Sequence, residues 1–213
     1  MLPALATHDW DGRYLDGDTP WDTGEPDPHL VALTEDATIG PCRVLEVGCG
    51  TGTNALWLSA RGFEVTGVDL SSRAIDQALR KAQGCEGGER VSLQVADFLH
   101  GELPPGAFDL VFDRGVFHVF DEAADRLRFA ERVATVLEPG GRWLSLAGST
   151  EGPAREHGPP RRSARDLVMA VEPHLELVDL RSVAFAARLP SPARAWLMLA
   201  RRREVAAQPS TKR

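Results

Sequence analysis

The sequence predicts an α/β protein: one mostly parallel sheet with helices on both faces. Three observations carry this. After residue 40, short apolar runs alternate with stretches of helical period. The first run, VLEV, leads straight into GCGTGT, a bare turn between a strand and a helix. The last two runs have no helix between them, only LPSP and its flanks, so one late strand should run antiparallel as half of a hairpin.

Seven strand candidates follow in order: CRVLEV (42–47), FEVTGVD (63–69), VSLQVA (91–96), FDLVFD (108–113), RWLSLAG (142–148), LELVDLRSVAF (175–185) and ARAWLMLAR (193–201). Between the early ones lie helical stretches. Ser72 can cap a helix on which Ala74, Ile75, Ala78, Leu79 and Ala82 share one face. A longer helix is expected from about 121 to 137, stopping at Glu138-Pro-Gly-Gly141. Strands joined through helices imply parallel pairing with both faces covered. Residues 1–40 match no sheet unit and read as an added N-terminal segment. The sheet domain is placed at 41–205, with a flexible tail at 206–213.

At 213 residues the chain is long enough for one well-buried core. Its formal net charge of −7 argues against a broad nucleic-acid footprint and against an anionic membrane surface. Cys42, Cys49 and Cys85 are scattered, without the paired spacing of a zinc or redox site, and read as free thiols. No metal site is expected. No apolar run is long enough to span a bilayer, and the N-terminus lacks a leader pattern, so a cytoplasmic protein is expected.

The glycine turn reads G-x-G-x-G at Gly48, Gly50 and Gly52, with Thr53 where a dinucleotide fingerprint carries its third glycine. Asp69 ends the second strand, where an acidic residue can accept both hydroxyls of a ribose. Asp97 and Phe98 follow the third strand, offering a carboxylate for an exocyclic amine and a ring for a purine face. Glu46 stands just before the turn. A carboxylate there suits an ammonium group better than a pyrophosphate. These positions describe an adenosine carrying a cationic amino-acid tail.

In EVGCGTG, GVDLS, VADF, FDLVFDRG and LEPGGRWL the sequence resembles the class I S-adenosylmethionine-dependent methyltransferases. The resemblance implies a Rossmann-like seven-stranded sheet with the last strand antiparallel. It also implies S-adenosyl-L-methionine bound by Glu46, Gly48, Gly50, Gly52, Asp69, Leu70, Asp97 and Phe98. WDGRY (10–14), GDTPWD (17–22), DRG (113–115), GPP (158–160) and FAAR (185–188) are similar to the thiopurine S-methyltransferase-like family. That likeness implies an N-terminal lid over the cofactor, with Trp10, Trp21 and Arg114 at the cofactor. It also implies Tyr14, Arg114 and Arg188 at the acceptor. The family's aromatic after G-P-P is replaced here by Arg161-Arg162, read as a solvated loop.

The function expected is methyl transfer to a small molecule, first of all a soft sulfur or selenium nucleophile, by a monomer. Alignment and exclusion of water supply most of such catalysis, and a thiolate needs no base. Arg114 is then the catalytic group that stabilises the anion. An N- or O-methyltransferase with His118 as base is the alternative, and a non-catalytic cofactor-binding module is a third reading. Ring faces of Trp10, Trp21 and Phe98 would favour a sulfonium.

Overall fold

A computed structural model describes residues 9–153, 158–187 and 192–203. Arg188 and the expected tail at 206–213 lie outside the described residues. Seven strands form one sheet: β1 (Arg43–Val47), β2 (Glu64–Asp69), β3 (Val91–Val95), β4 (Phe108–Arg114), β5 (Leu137–Gly148), β6 (Leu175–Ala184) and β7 (Arg194–Arg202). Their order is β3-β2-β1-β4-β5-β7-β6. The first five pair in parallel. β7 runs antiparallel between β5 and β6.

Alternation along the strands splits the core in two. Val44, Leu110, Phe112, Leu144 and Leu146 face one layer, with Leu58 of α3 (Thr53–Ser59) and Leu30 of α2 (Pro28–Glu35). Leu45, Val47, Val111, Trp143 and Ala147 face the other, against Phe129 and Val133 of α5 (Ala123–Val136) and Leu167 and Val171 of α6 (Ala164–Val171). The central strands β1 and β4 are buried on both sides and read as largely apolar runs, not as alternating ones, for that reason.

The Ser72 helix forms as α4 (Ser72–Ala82), although Ser71 is the cap, accepting from the Ala74 amide. Leu79 is exposed and Ala82 is not among its buried residues. Glu138-Pro-Gly-Gly141 does end α5, but β5 begins at Leu137 and runs through it, so the strand starts five residues before the expected 142. The pairing with β4 shifts register there, between Phe108 and Leu110, and Gly140 takes φ +77°.

The N-terminal segment holds two helices that periodicity did not announce. α1 (Trp10–Asp16) is capped by the Asp9 side chain and buries no residue fully. α2 starts at Asp27-Pro28, an acceptor cap followed by proline at the first helical position. α1 lies against the start of α4, where Asp11 accepts from the Ser71 hydroxyl (2.6 Å), the Ser72 hydroxyl (3.0 Å) and the Arg73 amide (3.2 Å).

Candidate active site

The carboxyl ends of β1, β2, β3 and β4 converge with the N-terminal segment around a cavity of about 710 Å³. The crevice lies where the strand order reverses, between β1 and β4, the place an open parallel sheet reserves for ligands.

The glycine loop forms its floor. Gly48 has φ +69°, and a methyl on it would stand 2.2 Å from Val116 Cγ2. At Gly50, with φ +54°, a methyl would stand 2.8 Å from the Tyr14 hydroxyl. Both positions demand glycine on conformation and on space. Gly52 is different. It caps α3 and lets Ala78 of α4 approach, and it does not line the cavity.

Asp69 braces this loop. Its Oδ2 accepts from the Gly50 amide at 2.8 Å and its Oδ1 from the Ser71 amide at 2.9 Å. Burial pushes its pKa up against these bonds. Leu70 lines the cavity beside it, half exposed. Asp97 and Phe98 line the same side. Asp97 accepts from the Leu99 and His100 amides, and Phe98 packs on Phe129.

Glu46 is buried at the end of β1. Its Oε1 accepts from the Asn54 side chain at 3.0 Å, while Oε2 has no partner among the described residues. Desolvation raises its pKa to about 8. A buried carboxylate oxygen left over at a cavity wall is costly unless a ligand completes it. The missing partner is a donor, best a cation. That is a fit to the ammonium end of S-adenosylmethionine.

Over the floor, Trp10 meets Trp21 edge to face at 5.8 Å, and Tyr14 meets Trp21 at 6.2 Å. All three line the cavity. The Trp21 indole donates to the Tyr14 hydroxyl, leaving the phenol proton to give away; burial raises the Tyr14 pKa above its usual value. One face of Trp21 is already covered by the Arg13 guanidinium at 4.2 Å and is not available to a sulfonium.

The end of the cavity beyond β4 holds Arg114, His118, Phe185 and the Gly158-Pro-Pro160 turn. That turn is seated by Gly148, where any side chain would strike the Pro160 carbonyl. Arg114 does not present a free fork. Its Nε donates to Asp27 Oδ2 at 2.7 Å, one terminal nitrogen donates to the Trp21 carbonyl at 3.2 Å, and the other donates to the Ala186 carbonyl. His118 is buried in a short 3₁₀ turn, Phe117–Val119. Its Nδ1 accepts from the Gly148 amide at 2.8 Å. Burial, with the charges of Arg162 and Arg114 nearby, lowers its pKa to about 3.

Arg161 and Arg162 are not a solvated loop. Arg161 donates to the carbonyls of Ser149, Thr150 and Glu151, closing their turn, and Arg162 is largely buried and paired with Asp121 at 2.6 Å. Sequence reasoning also missed Asp27 and Asn54. The Asp27-Pro28 cap was the available signal for the first; nothing local marks Asn54. The buried Asp113, reached only as part of DRG, accepts from the Val116 and Phe117 amides and the Trp143 indole, holding the turn after β4.

A Rossmann-like sheet with an antiparallel seventh strand and a glycine loop at its switch point defines a class of open α/β folds that bind their ligand in that crevice. A family model described as a methyltransferase domain matches residues 44–141. A structure solved in work on the conversion of a disulfide bond into a thioacetal group during echinomycin biosynthesis superposes with a TM-score of 0.73 at 30% identity, covering 86% of this chain and 84% of that one. The chain belongs to the class I S-adenosylmethionine-dependent methyltransferases.

Two curated relatives are similar over most of it. A probable thiol methyltransferase 2 of Arabidopsis thaliana is 32% identical across 71% of this chain and 65% of its own length. A thiocyanate methyltransferase 1 of Brassica oleracea is 29% identical across 73% of this chain and 67% of its own. The chain thus spans about two thirds of the length of these relatives. Among the described residues no helix is long and apolar enough to cross a membrane.

Proposed function

We propose that this protein transfers a methyl group from S-adenosylmethionine to a small, soft, anionic nucleophile, a thiolate or thiocyanate-like sulfur. The observation that carries this is the state of His118. Its Nδ1 lone pair is occupied by the Gly148 amide, so Nε2 carries the proton and the ring has no free basic nitrogen. An acceptor that must lose a proton during attack, such as an alcohol, finds no base there. An acceptor that arrives ionised needs none. The similarity to proteins named for thiols and thiocyanate supports the same class.

S-adenosylmethionine supplies a methyl on a sulfonium, already activated for displacement. The protein's part is to hold and align. Glu46 would receive the ammonium, Asp69 the ribose, and Asp97 with Phe98 the adenine. Trp10 and Trp21, which both line the cavity, would border the sulfonium. At the acceptor end the His118 Nε2–H would donate to an anion, with the charge of Arg162 felt at the same ring. Phe185 and the Pro159-Pro160 turn exclude water, which leaves a soft anion poorly solvated and reactive.

A panel of thiols, thiocyanate, a selenol, a phenol and an amine, assayed with radiolabelled S-adenosylmethionine, tests this. Labelled product is expected with the sulfur and selenium acceptors. Faster turnover of the phenol or amine, lost on replacing His118, would establish the alternative with His118 in the acid–base role.

A further inference from the structure

The residues around Arg114 form a connected path. Arg114 donates from the end of β4 to Asp27, whose side chain is fully buried, and to the Trp21 carbonyl. Asp27 keeps its other oxygen for the His29 amide at 2.9 Å, as the cap of α2. Its own amide donates to Asn54 Oδ1 at 2.8 Å, and Asn54 Nδ2 donates to Glu46 Oε1 at 3.0 Å. Both faces of the Asn54 amide are therefore committed, oxygen toward the N-terminal segment and nitrogen toward Glu46.

We propose that Arg114 and Asp27 are positioning residues: a latch that holds the segment from α1 to Pro28 over the cofactor, tied through Asn54 to the carboxylate that receives the ammonium. Arg114 then acts on the cofactor through the segment and does not bind the acceptor with its fork. The latch is placed to respond to the ligand. A cation at Glu46 Oε2 holds that carboxylate ionised, which strengthens the bond from Asn54. Asn54 is thereby fixed in the orientation that accepts from Asp27. Loss of either latch residue leaves the other charge buried without its partner. This inference rests on the cofactor assignment and is independent of which acceptor is methylated.

The test uses S-adenosylhomocysteine, binding by calorimetry, and trypsin cleavage after Arg13, which lies inside the segment. Asp27→Asn keeps an acceptor for the α2 cap and removes the charge. Asp27→Asn and Arg114→Gln are each expected to raise the Kd about tenfold or more, as removal of one member of a buried pair does. The double variant should be no weaker than the worse single one. Saturating S-adenosylhomocysteine should slow cleavage after Arg13 in the wild type and fail to do so in the variants, while the KM of the acceptor stays within about twofold, since neither side chain would touch it. Should Arg114→Gln not fold, Arg114→Lys serves, because an ammonium cannot span three acceptors in the same fork. Additive losses, or intact Kd with a raised acceptor KM in the Arg114 variant alone, would overturn the latch and return Arg114 to the acceptor. A wild type that binds no S-adenosylhomocysteine would instead defeat the cofactor assignment.

Discussion

Gly148 donates its backbone N–H to Nδ1 of His118, 30 residues earlier in the chain, and in doing so decides which nitrogen faces the cavity as a donor. On sequence, this histidine just after the fourth strand is a candidate base only in the alternative reading. Its setting makes it a fixed hydrogen-bond donor, and pH dependence is the way to see the difference.

The pH–rate profile should therefore show no limb near the ordinary imidazole value of 6.5, because His118 titrates at about 3 in the folded protein. With a thiol acceptor below saturation, activity should climb with pH to the acceptor's own pKa. His118→Asn, which can still donate, should lose less than about tenfold, short of the hundredfold typical of a lost general base. His118→Phe, which cannot donate, should lose more with thiocyanate than with a neutral acceptor. An imidazole-like limb that vanishes in His118→Asn would show a base after all.

The same depression has a stability consequence. The folded pKa lies below the unfolded one, so the contribution of His118 is full above about 6.5 and is lost as pH falls toward 3. Urea midpoints of wild type and His118→Asn should diverge at neutral pH and converge in acid.

Glu46 predicts the opposite sign. Its folded pKa of about 8 stands above its ordinary 4.5, so its contribution to the free protein's stability is full below 4.5 and is lost as pH rises through 8. A ligand ammonium favours the ionised form, so S-adenosylhomocysteine should bind with release of a proton at pH 7. Calorimetry in buffers of different ionisation enthalpy reads that number directly; zero would remove Glu46 from the ammonium. Glu46→Gln should weaken binding by about 2 kcal/mol or more, the loss of a charged acceptor, without destabilising the free protein.

Asp69→Ala should cost more than ribose contacts. It leaves the Gly50 and Ser71 amides without their acceptor, each worth about 1–3 kcal/mol when buried, so the free protein should melt lower as well as bind cofactor less tightly. Unchanged melting would mean the loop is held by something else.

Gly48→Ala combines a φ of +69° with an overlap on Val116. The strain of a non-glycine residue there is about 1–3 kcal/mol, before Val116 is displaced. A urea titration showing a wild-type midpoint would refute the close approach.

Much of the sheet was legible in the sequence because its strands are central, short and apolar, and each ends in a distinctive turn. The hairpin reading of the last two strands rested on a missing helix, and β6 and β7 pair antiparallel as expected. The helices of the N-terminal segment were not legible. α1 buries nothing fully, and α2 buries Leu30 and Leu33, so neither carries a stripe long enough to read. They are held by polar bonds to residues far away in sequence: Asp11 to Ser71, Asp22 to Thr51, Asp27 to Arg114. Arg114 was picked out as a candidate from DRG, and the structure places it at the cavity. Its partner was not, since a side chain's type does not reveal what lies opposite it across 87 residues. Glu46 was picked out as a candidate because a carboxylate beside a glycine loop is chemically out of place for phosphate, and the structure places it at the cavity wall with one oxygen unpartnered among the described residues.

The insertion of β7 between β5 and β6 sets an order of assembly. β5 and β6 do not pair with each other, so until the chain has been synthesised through Arg202 both expose unsatisfied edges. Trp196 and Met198, which close the core at that end, come with the same late strand. On the ribosome, the β1–β5 half can form early while its open flank waits for a strand some fifty residues downstream of Gly148. A nascent chain stalled before Arg194 would therefore be the species most in need of a chaperone, and shortening the chain into β7 would be far more harmful than trimming the residues after it.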